Sequence, residues 1–530
     1  MISSLKYIWI ILFTILFIVK PNCQITFNKI DSLEFEASLA TSLVEKDSFY
    51  FISGIGVDVI DSSNMIASYL QKINKNGETI DLHMFVDSTN ERPYEQVRNN
   101  LRFSKDGNFL QTGYHRGNGE IDPYVIKYND HGEIIFQTLL KSKFEEGNGF
   151  ELDTDYVELP NEEIITVTRC QRDDQGNDAA AEICIYKLSS KGDIIWQKVI
   201  EDPDRRDYTS QLLLHPNGNI IILGEKNRYH VDLFSLTWAS ITEIDIEGEL
   251  INQWESEPLD SLASISSGVI VDDEYILSTS IRTELYPDIQ TIGDPTILKL
   301  DSDFNEVWRF SVYNVKDSLF APGLGYTKLI ALQDSKFVAV GISHVGDLEN
   351  VNGDFSDEFG KIIKFNGDGE LLWERNYQYF GDEAYFDNHI FKDIIETSDG
   401  GFLACGEIKL PIGNTKRQYS WLVKMDEHGC VVPGCHDLID NTISVSDALG
   451  LKLFPNPVSD VLNVSVNHQG SYRDAQIIIS NSMGQQLKTY PIKLPNLTMM
   501  IDVSGFENGM YFLTYVVEGE VLGTKGFIKT

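Results

Sequence analysis

The feature that most constrains the fold is a hairpin that recurs seven times between residues 43 and 403. In each copy an apolar strand runs into a short polar turn, and a second apolar strand follows. The turn residues are Asp47, Asp106, Asn161, Asn217, Asp272, Asp334 and Asp399. Consecutive turns lie 55 to 65 residues apart, and such regular spacing over many copies indicates a repeat architecture.

A second hairpin follows each first one with a similar period. Its turn residues are Gly77, Gly132, Gly192, Gly248, Phe304, Gly369 and Gly429. Two hairpins make four antiparallel strands per unit, so seven units between residues 24 and 436 predict an all-β fold, a seven-bladed β-propeller. A pair of β-sandwiches would not explain the spacing, and a β-helix has much shorter rungs. Ring closure further predicts that Ile25–Ile30 adds a strand to the last blade.

Composition and charge narrow the function classes. An apolar content of 42% excludes wholesale disorder. The net charge of −37 lies entirely before Leu451, because residues 451–530 carry equal numbers of acidic and basic side chains. An acidic body repels phosphate backbones and anionic lipid surfaces, which disfavours nucleic-acid and peripheral membrane partners. Solubility outside the cell accounts for the charge without an acidic binding groove.

The first 23 residues have the pattern of a signal peptide. Lys6 precedes an apolar run from Tyr7 to Val19, which is too short to span a bilayer. Cleavage after Cys23 would leave Gln24 as the first residue. A lipid-modified Cys23 is the alternative, although Lys20, Pro21 and Asn22 are atypical before a lipidated cysteine. The expected mature chain is exported and has no membrane span.

Five cysteines remain after Cys23. Cys430 and Cys435 enclose a short turn, and Cys170 and Cys184 lie where two apparent strands flank a polar loop. Both pairs are predicted to form disulfides in an oxidising compartment. Cys405 is left as a buried thiol within an apolar strand.

The second hairpin also carries a regularly placed aromatic residue. Asn, Asp or Ser is followed seven residues later by Phe136, Trp196, Trp308 or Trp373, whereas Asp81, Asn252 and Pro433 take that place in the other copies. This pattern resembles the tryptophan-docking repeat of quinoprotein-type propellers, in which the indole wedges between blades. The resemblance covers only seven to eleven residues per blade and implies packing. It does not imply a quinone, and no other cofactor is expected apart from the calcium considered next.

No hydrolase, zinc-protease or phosphate-loop motif occurs in the sequence. The most unusual loop, residues 346–358, is rich in acids and asparagine. Its candidate calcium ligands are Asp347, Glu349, Asn352, Asp354 and Asp357. Calcium binds six to eight oxygens, but the spacing departs from the ordered ladder of a calcium loop. A solvated loop is therefore the favoured interpretation.

The pattern changes after a polar linker at residues 437–450. Short alternating strands over residues 451–530 predict a small, Ig-like β-sandwich. Several ordered motifs mark this segment, and their main residues are Pro455, Asn456, Pro457, Asp460, Gly484, Gly509, Tyr511, Lys525 and Lys529. Together they closely resemble the type A C-terminal sorting domain of the type IX (Por) secretion system.

The resemblance implies a route and two partners. The chain would cross the inner membrane by a Sec signal, and an outer-membrane translocon would recognise residues 451–530. A sortase-like protease would then cut between His436 and Leu451, so that the passenger is released or attached to the outer cell surface. The family thus predicts a destination and leaves the passenger's activity open.

The sequence leaves three possible functions for the propeller at residues 24–436. A module that binds glycan or protein ligands through one rim is favoured, because propellers are binding scaffolds and catalytic motifs are absent from the sequence. The alternative is a secreted hydrolase or lyase with acids at the ring axis. The third is a purely structural adhesin. Two or three buried axial carboxylates with perturbed pKa values would favour the enzyme.

Overall fold

The computed structural model describes the chain from Gln24 to Thr530 with short gaps. The residues outside the description are 1–23, 32, 34, 61–62, 88–91, 96–99, 118–119, 141–153, 172–180, 202–205, 231–232, 257–261, 283–292, 312–324, 346–356, 381–387, 413–414, 433–434, 436–450, 468–473 and 495. The predicted signal peptide and linker, and most of the predicted calcium loop, fall in these gaps.

Strand β1 (Phe27–Asp31) precedes seven antiparallel blades. Blade 1 comprises β2 (Ala37–Lys46), β3 (Phe49–Ile60), β4 (Ser63–Asn74) and β5 (Thr79–Asp87), and blade 2 comprises β6 (Arg92–Glu95), β7 (Arg102–Phe103), β8 (Phe109–Gly117), β9 (Glu120–Tyr128) and β10 (Ile134–Leu139). Blade 3 comprises β11 (Asp155–Glu158), β12 (Ile164–Gln171), β13 (Ala181–Leu188) and β14 (Ile194–Ile200). Blade 4 comprises β15 (Arg206–Leu214), β16 (Ile220–His230), β17 (Leu233–Ile244) and β18 (Leu250–Glu255). Blade 5 comprises β19 (Leu262–Val271), β20 (Glu274–Arg282), β21 (Gly293–Leu300) and β22 (Glu306–Ser311). Blade 6 comprises β23 (Gly325–Ala331), β24 (Lys336–Val345), β25 (Asp357–Asn366) and β26 (Leu371–Phe380), and blade 7 comprises β27 (Asn388–Glu396), β28 (Phe402–Ile412) and β29 (Thr415–Met425). The predicted seven-bladed propeller is confirmed.

The ring closes through its N-terminal strand. Strand β1 pairs antiparallel with β29, from Phe27 opposite Lys424 to Asp31 opposite Ser420, and so becomes the outer strand of blade 7. The Trp421 indole N–H donates to Asn28 Oδ1 at 2.7 Å across this seam. The predicted closing strand is therefore confirmed, although it begins two residues later and ends one residue later than Ile25–Ile30.

Side-chain chemistry at the second turns explains their regularity. Each opens on Asn, Asp or Ser, whose oxygen accepts backbone N–H groups two and four residues later. Asp245 Oδ1, for example, accepts from Glu247 at 2.9 Å and Glu249 at 2.8 Å. The residue between those two donors has a positive φ in every copy, from 63° to 89°. Glycine adopts this left-handed conformation without steric cost, and Phe304 is the single non-glycine that adopts it here.

The apolar core of the ring is divided among the blade junctions. Seven buried clusters each join side chains of two neighbouring blades, and the cluster between blades 1 and 2, for example, unites Phe51 and Phe109. Central strands are buried on both faces, which is why β16 begins with three consecutive isoleucines. Each blade is therefore stabilised by its neighbours.

Residues 451–530 form the predicted small sandwich. Its strands are β30 (Leu451–Phe454), β31 (Val461–Val466), β32 (Gln476–Asn481), β33 (Gln486–Pro491), β34 (Leu497–Asp502), β35 (Gly509–Val517) and β36 (Glu520–Lys529). One sheet has the order β33-β32-β35-β36, and the other contains β30, β31 and β34. A single buried core, including Leu462, Ile479 and Leu513, lies between the sheets.

Candidate functional site

The two faces of the ring differ in their connections. One face carries the short turns within each hairpin, and we call it the narrow face. The wide face carries the links between hairpins and between blades, because those connections all leave from the opposite strand ends. The longest links run from β10 to β11 and from β22 to β23. Propeller ligands bind where such variable links gather, so the wide face is the candidate binding surface.

The innermost strands share a β-bulge near the ring axis. The pairing of the first two strands skips one residue at Thr41, Ser210, Ser266, Thr327 and Lys392, in blades 1, 4, 5, 6 and 7. A bulge leaves one residue unpaired and redirects the side chains beside it. Thr154 occupies the matching position of blade 3, just ahead of β11.

The residue after each bulge reaches sideways to the next blade. We call these residues the axial girdle: Ser42, Asn100, Asp155, Gln211, Ser267, Lys328 and Asp393. In five of them a side-chain oxygen accepts a backbone N–H from the neighbouring blade. The donors and distances are Leu101 to Ser42, 3.1 Å; Leu212 to Asp155, 2.8 Å; Gly268 to Gln211, 2.8 Å; Leu329 to Ser267, 3.1 Å; and Leu43 to Asp393, 3.0 Å.

The other two girdle residues use donors instead. Asn100 donates its amide to the Thr154 carbonyl oxygen of blade 3 at 3.2 Å. Lys328 has no acceptor oxygen, and its ammonium lies 3.9 Å from Asp393 Oδ1 in blade 7. The Asp393 carboxylate also accepts the Ile394 N–H of its own blade at 2.9 Å, in addition to the Leu43 N–H of blade 1. The girdle thus ties every blade to the next around the axis.

A small polar pocket of about 20 Å³, open to solvent, lies inside the girdle. Its lining includes the bulge hydroxyls of Thr154, Ser210, Ser266 and Thr327, together with Arg102 and Lys328. Asn100 and Thr154 stand at the wide-face ends of their blades, so the pocket belongs to that face. The buried Thr154 hydroxyl has no hydrogen-bond partner among the described residues. The pocket therefore offers mainly hydroxyl groups and cations.

The axial carboxylates are engaged in structure. Asp155 contacts the Arg102 guanidinium at 2.9 Å in addition to its bond from Leu212. Burial raises the pKa of Asp393, while the Lys328 ammonium and the bond from Ser42 Oγ at 2.7 Å act against that rise. Both side chains are about 5% exposed or less. These two acids therefore join neighbouring blades.

The four predicted aromatic wedges belong to a complete ring of seven docked side chains. Each outer strand places a ring side chain against the second-turn residue of the next blade. A methyl group added at Gly248 would lie 2.7 Å from the Trp196 ring, and one at Gly132 would lie 2.3 Å from His83. The docking pairs are Phe27 with Gly77, His83 with Gly132, Phe136 with Gly192, Trp196 with Gly248, Trp254 with Phe304, Trp308 with Gly369, and Trp373 with Gly429.

Three of these wedges were not found from the sequence pattern. His83 and Trp254 stand two residues beyond Asp81 and Asn252, and side chains two apart on a strand share a face. Phe27 comes from the closing strand, far from blade 7 in the sequence. Allowing a shift of two residues would have revealed the first two. The docked aromatics are structural, as the sequence predicted.

Both predicted disulfides are present. Cys170 and Cys184 link β12 to β13 with a Cα separation of 5.8 Å, and Cys430 and Cys435 close the turn after β29 at 5.5 Å. Cys405 is a buried thiol, and burial raises its pKa well above the usual range. A thiol of that kind is unreactive.

The predicted calcium ligands are not described, apart from the backbone of Asp357, which begins β25. The remaining candidates, at 347, 349, 352 and 354, fall in the gap 346–356. Elsewhere, over the residues that the structure does describe, His, Cys, Asp and Glu form no cluster of three suited to a metal ion. Calcium binding at this loop stays a prediction.

The C-terminal motif residues gather at one end of the sandwich. Asn456, between two cis prolyl bonds to Pro455 and Pro457, donates to the Gly526 carbonyl at 3.1 Å and accepts the Ile528 N–H at 2.9 Å. Gly509 pairs with Lys529, and Tyr511 with Phe527. The Tyr511 hydroxyl donates to the Glu507 carbonyl at 2.7 Å. The first and last motifs of the domain are therefore in direct contact.

The remaining motif residues complete this end. Asn481 pairs with Tyr511 and opens the turn in which Gly484 has a φ of 77°. The Asp460 carbonyl accepts the Val503 N–H at 2.8 Å. Lys525 lies further along β36, opposite Leu513. Motifs about seventy residues apart in sequence are thus in contact through the bonds of Asn456 to Gly526 and Ile528.

Comparison with known families accounts for this surface. Residues 452–529 match the secretion system C-terminal sorting domain. The sorting domain directs the protein out of the cell by the type IX route, either released or held at the outer cell surface. It also implies contact with the secretion machinery. Among the described residues, no helix has the length and apolarity needed to cross a membrane.

Known proteins do not extend this assignment to the propeller. No curated protein matches the chain. Solved structures similar to it include a protein of unknown function from Dyadobacter fermentans (12% identity, 63% of this chain and 93% of that one, TM-score 0.37), the Neurospora crassa Pan2 WD40 domain (11%, 72% and 88%, 0.35) and the polysaccharide lyase Uly1 (10%, 73% and 90%, 0.40). Similarities this weak assign no function.

Proposed function

We propose that the propeller is an extracellular binding module that recognises a glycan or a protein through its wide face. The observation that carries this proposal is the use of the axial carboxylates. Asp155 and Asp393 each accept a backbone N–H group of an adjacent blade and each lie beside a cation, Arg102 or Lys328, so both carboxylates serve to join blades. An enzyme of the glycoside hydrolase type needs a pair of carboxyl groups that face the substrate.

The axial pocket supplies the polar part of the binding surface. Its hydroxyls come from four consecutive blades, and Lys328 adds a cation that is about one-sixth exposed. Hydroxyl and ammonium groups donate hydrogen bonds to the oxygens of sugars or of peptide carbonyls. The longer connections leave from strand ends on the same face as this pocket, so that face has further area available for a macromolecular ligand.

The route to the cell surface has four proposed steps. A Sec signal peptide at residues 1–23 takes the chain to the periplasm, and the outer-membrane translocon recognises residues 451–530. A sortase-like protease cuts within the linker, between His436 and Leu451. The passenger from Gln24 to His436 then acts outside the cell, released or anchored.

A ligand screen tests the proposed function. The mature chain from Gln24 is applied to a glycan array and to extracellular proteins of the same cells, with calcium or with a chelator. Lys328→Gln and Ser266→Val should reduce binding of any ligand at least tenfold. Lys105→Gln, on an exposed turn of the narrow face, should leave it unchanged.

Three results would contradict the proposal. Cleavage products that accumulate from a glycan or peptide would favour the hydrolase or lyase. Equal loss of binding in Lys105→Gln and Lys328→Gln would remove the wide face from the recognition surface. Failure of every ligand to bind would favour a structural adhesin.

A further inference from the structure

The sorting domain is joined to the propeller by a shared β-sheet. Strand β34 of the sorting domain pairs in parallel with β26, the outer strand of blade 6. Five residue pairs form, from Asn376 opposite Leu497 to Phe380 opposite Ile501. The Asn376 N–H donates to the Asn496 carbonyl at 3.2 Å. One seven-stranded sheet therefore runs from blade 6 into the sandwich.

This pairing completes the sandwich. The sorting domain brings three strands to one sheet and four to the other, and β26 occupies the fourth place in the shorter sheet. Phe359, on the neighbouring strand β25, is buried within the sandwich core beside Leu497, Met499 and Ile501. The propeller thus contributes both a strand and a core side chain to the sorting domain.

We propose that blade 6 is the docking site of the sorting domain, and that the sorting domain reaches its full stability only on a folded blade 6. Without β26, the edge of β34 would expose unpaired N–H and C=O groups, and the Phe359 contact would be lost. An open edge of that kind is prone to pairing with other chains. Docking therefore makes presentation of a stable sorting domain depend on a folded passenger.

The seam also has features that permit separation. The side-chain oxygen of Gln378 and the hydroxyl of Thr498 are buried there without a hydrogen-bond partner among the described residues. A buried polar group without a hydrogen-bond partner destabilises the docked state, because water would hydrogen-bond to that group if the seam opened. Interfaces that separate are more polar than permanent ones. Cutting the linker alone consequently leaves the sorting domain attached until the strand pair opens.

A cleavable mature chain tests the docking. A protease recognition sequence placed within residues 437–450 allows the linker to be cut after purification, and size exclusion then shows whether the two parts elute together. Hydrogen exchange of the β34 amides is measured on the same chain before cutting. Wild type should remain associated after cutting, with β34 protected.

Two variants should undock the sorting domain while the propeller stays folded. Phe359→Ser removes a buried aromatic and should speed β34 exchange about tenfold to a hundredfold. Gln378→Pro removes an outward N–H, which an exposed edge strand tolerates but a paired strand does not. After cutting, both variants should elute as separate parts.

Matched substitutions in other blades serve as controls. Trp238→Ser changes the corresponding third-strand position of blade 4. Glu201→Pro changes the residue just after β14 in blade 3, at the same distance from the second turn as Gln378. Both should leave the parts associated and β34 protected. The proposal is overturned if wild type separates on cutting, or if β34 exchange in Phe359→Ser and Gln378→Pro equals that of wild type.

Discussion

Removal of the Asp393 carboxylate should loosen the junction between blades 7 and 1. In Asp393→Ala the Leu43 N–H and the Ser42 hydroxyl lose a charged acceptor, and the Lys328 ammonium loses its counter-ion. Hydrogen bonds to a charged group contribute about 1.5–3 kcal/mol each, so two of them predict a loss of about 3–6 kcal/mol. Breaking a buried ion pair by deleting one partner has a similar cost of about 3–5 kcal/mol.

Ser267→Ala is the matched comparison at another girdle position. It removes one neutral acceptor from Leu329 and should cost about 1–2 kcal/mol. Urea unfolding of the mature chain, followed by tryptophan fluorescence, measures both. All tryptophans after residue 23 precede Leu451, so the signal reports the propeller alone. If Asp393→Ala costs no more than Ser267→Ala, the girdle does not hold the ring closed at this junction.

Three further predictions concern packing, pH and calcium. Gly248→Ala should destabilise the propeller by about 1–3 kcal/mol more than Gly107→Ala, because both glycines have positive φ but only Gly248 lies against Trp196, and equal melting temperatures would contradict the docking ring. The raised pKa of Asp393 means that stability falls as pH rises from the ordinary carboxyl pKa of about 4 through the raised value. Urea midpoints of Asp393→Asn should lack that decline. If the pH profile of Asp393→Asn equals that of wild type, another titrating group causes the decline. If loop 346–358 binds calcium, a chelator should lower the melting temperature of wild type and not that of a variant with its five candidate ligands changed to alanine.

The repeat could be predicted from sequence because its signals are local. A turn needs an Asx or Ser side chain and a residue tolerant of positive φ within a few positions, and these recur in all seven second turns. The cysteine pairs also followed from local pattern, whereas the closing strand followed from the need to close a ring of repeated blades. The sorting motifs were also legible, since several ordered residues lie within eighty positions.

Contacts between blades could not be predicted from the sequence in the same way. Side chains two residues apart share a strand face. The wedge is therefore His83 in place of Asp81, and Trp254 in place of Asn252, while the pattern of the turns is unchanged. The girdle depends on bulges that redirect polar residues across a junction, and Ser, Asn, Asp, Gln and Lys are ordinary at strand positions. Sequence alone gave no signal for this set as a site.

The amino-acid sequence determined the number of blades, the turns, the disulfides and the destination of this protein, because each depends on residues close together in the chain. The tertiary structure decided which side chains meet at the axis, which aromatics lock neighbouring blades, and which strand receives the sorting domain. Those choices depend on the register between strands far apart in sequence. In particular, only the folded chain places Phe359 and β26 beside β34, where the passenger completes its own export domain.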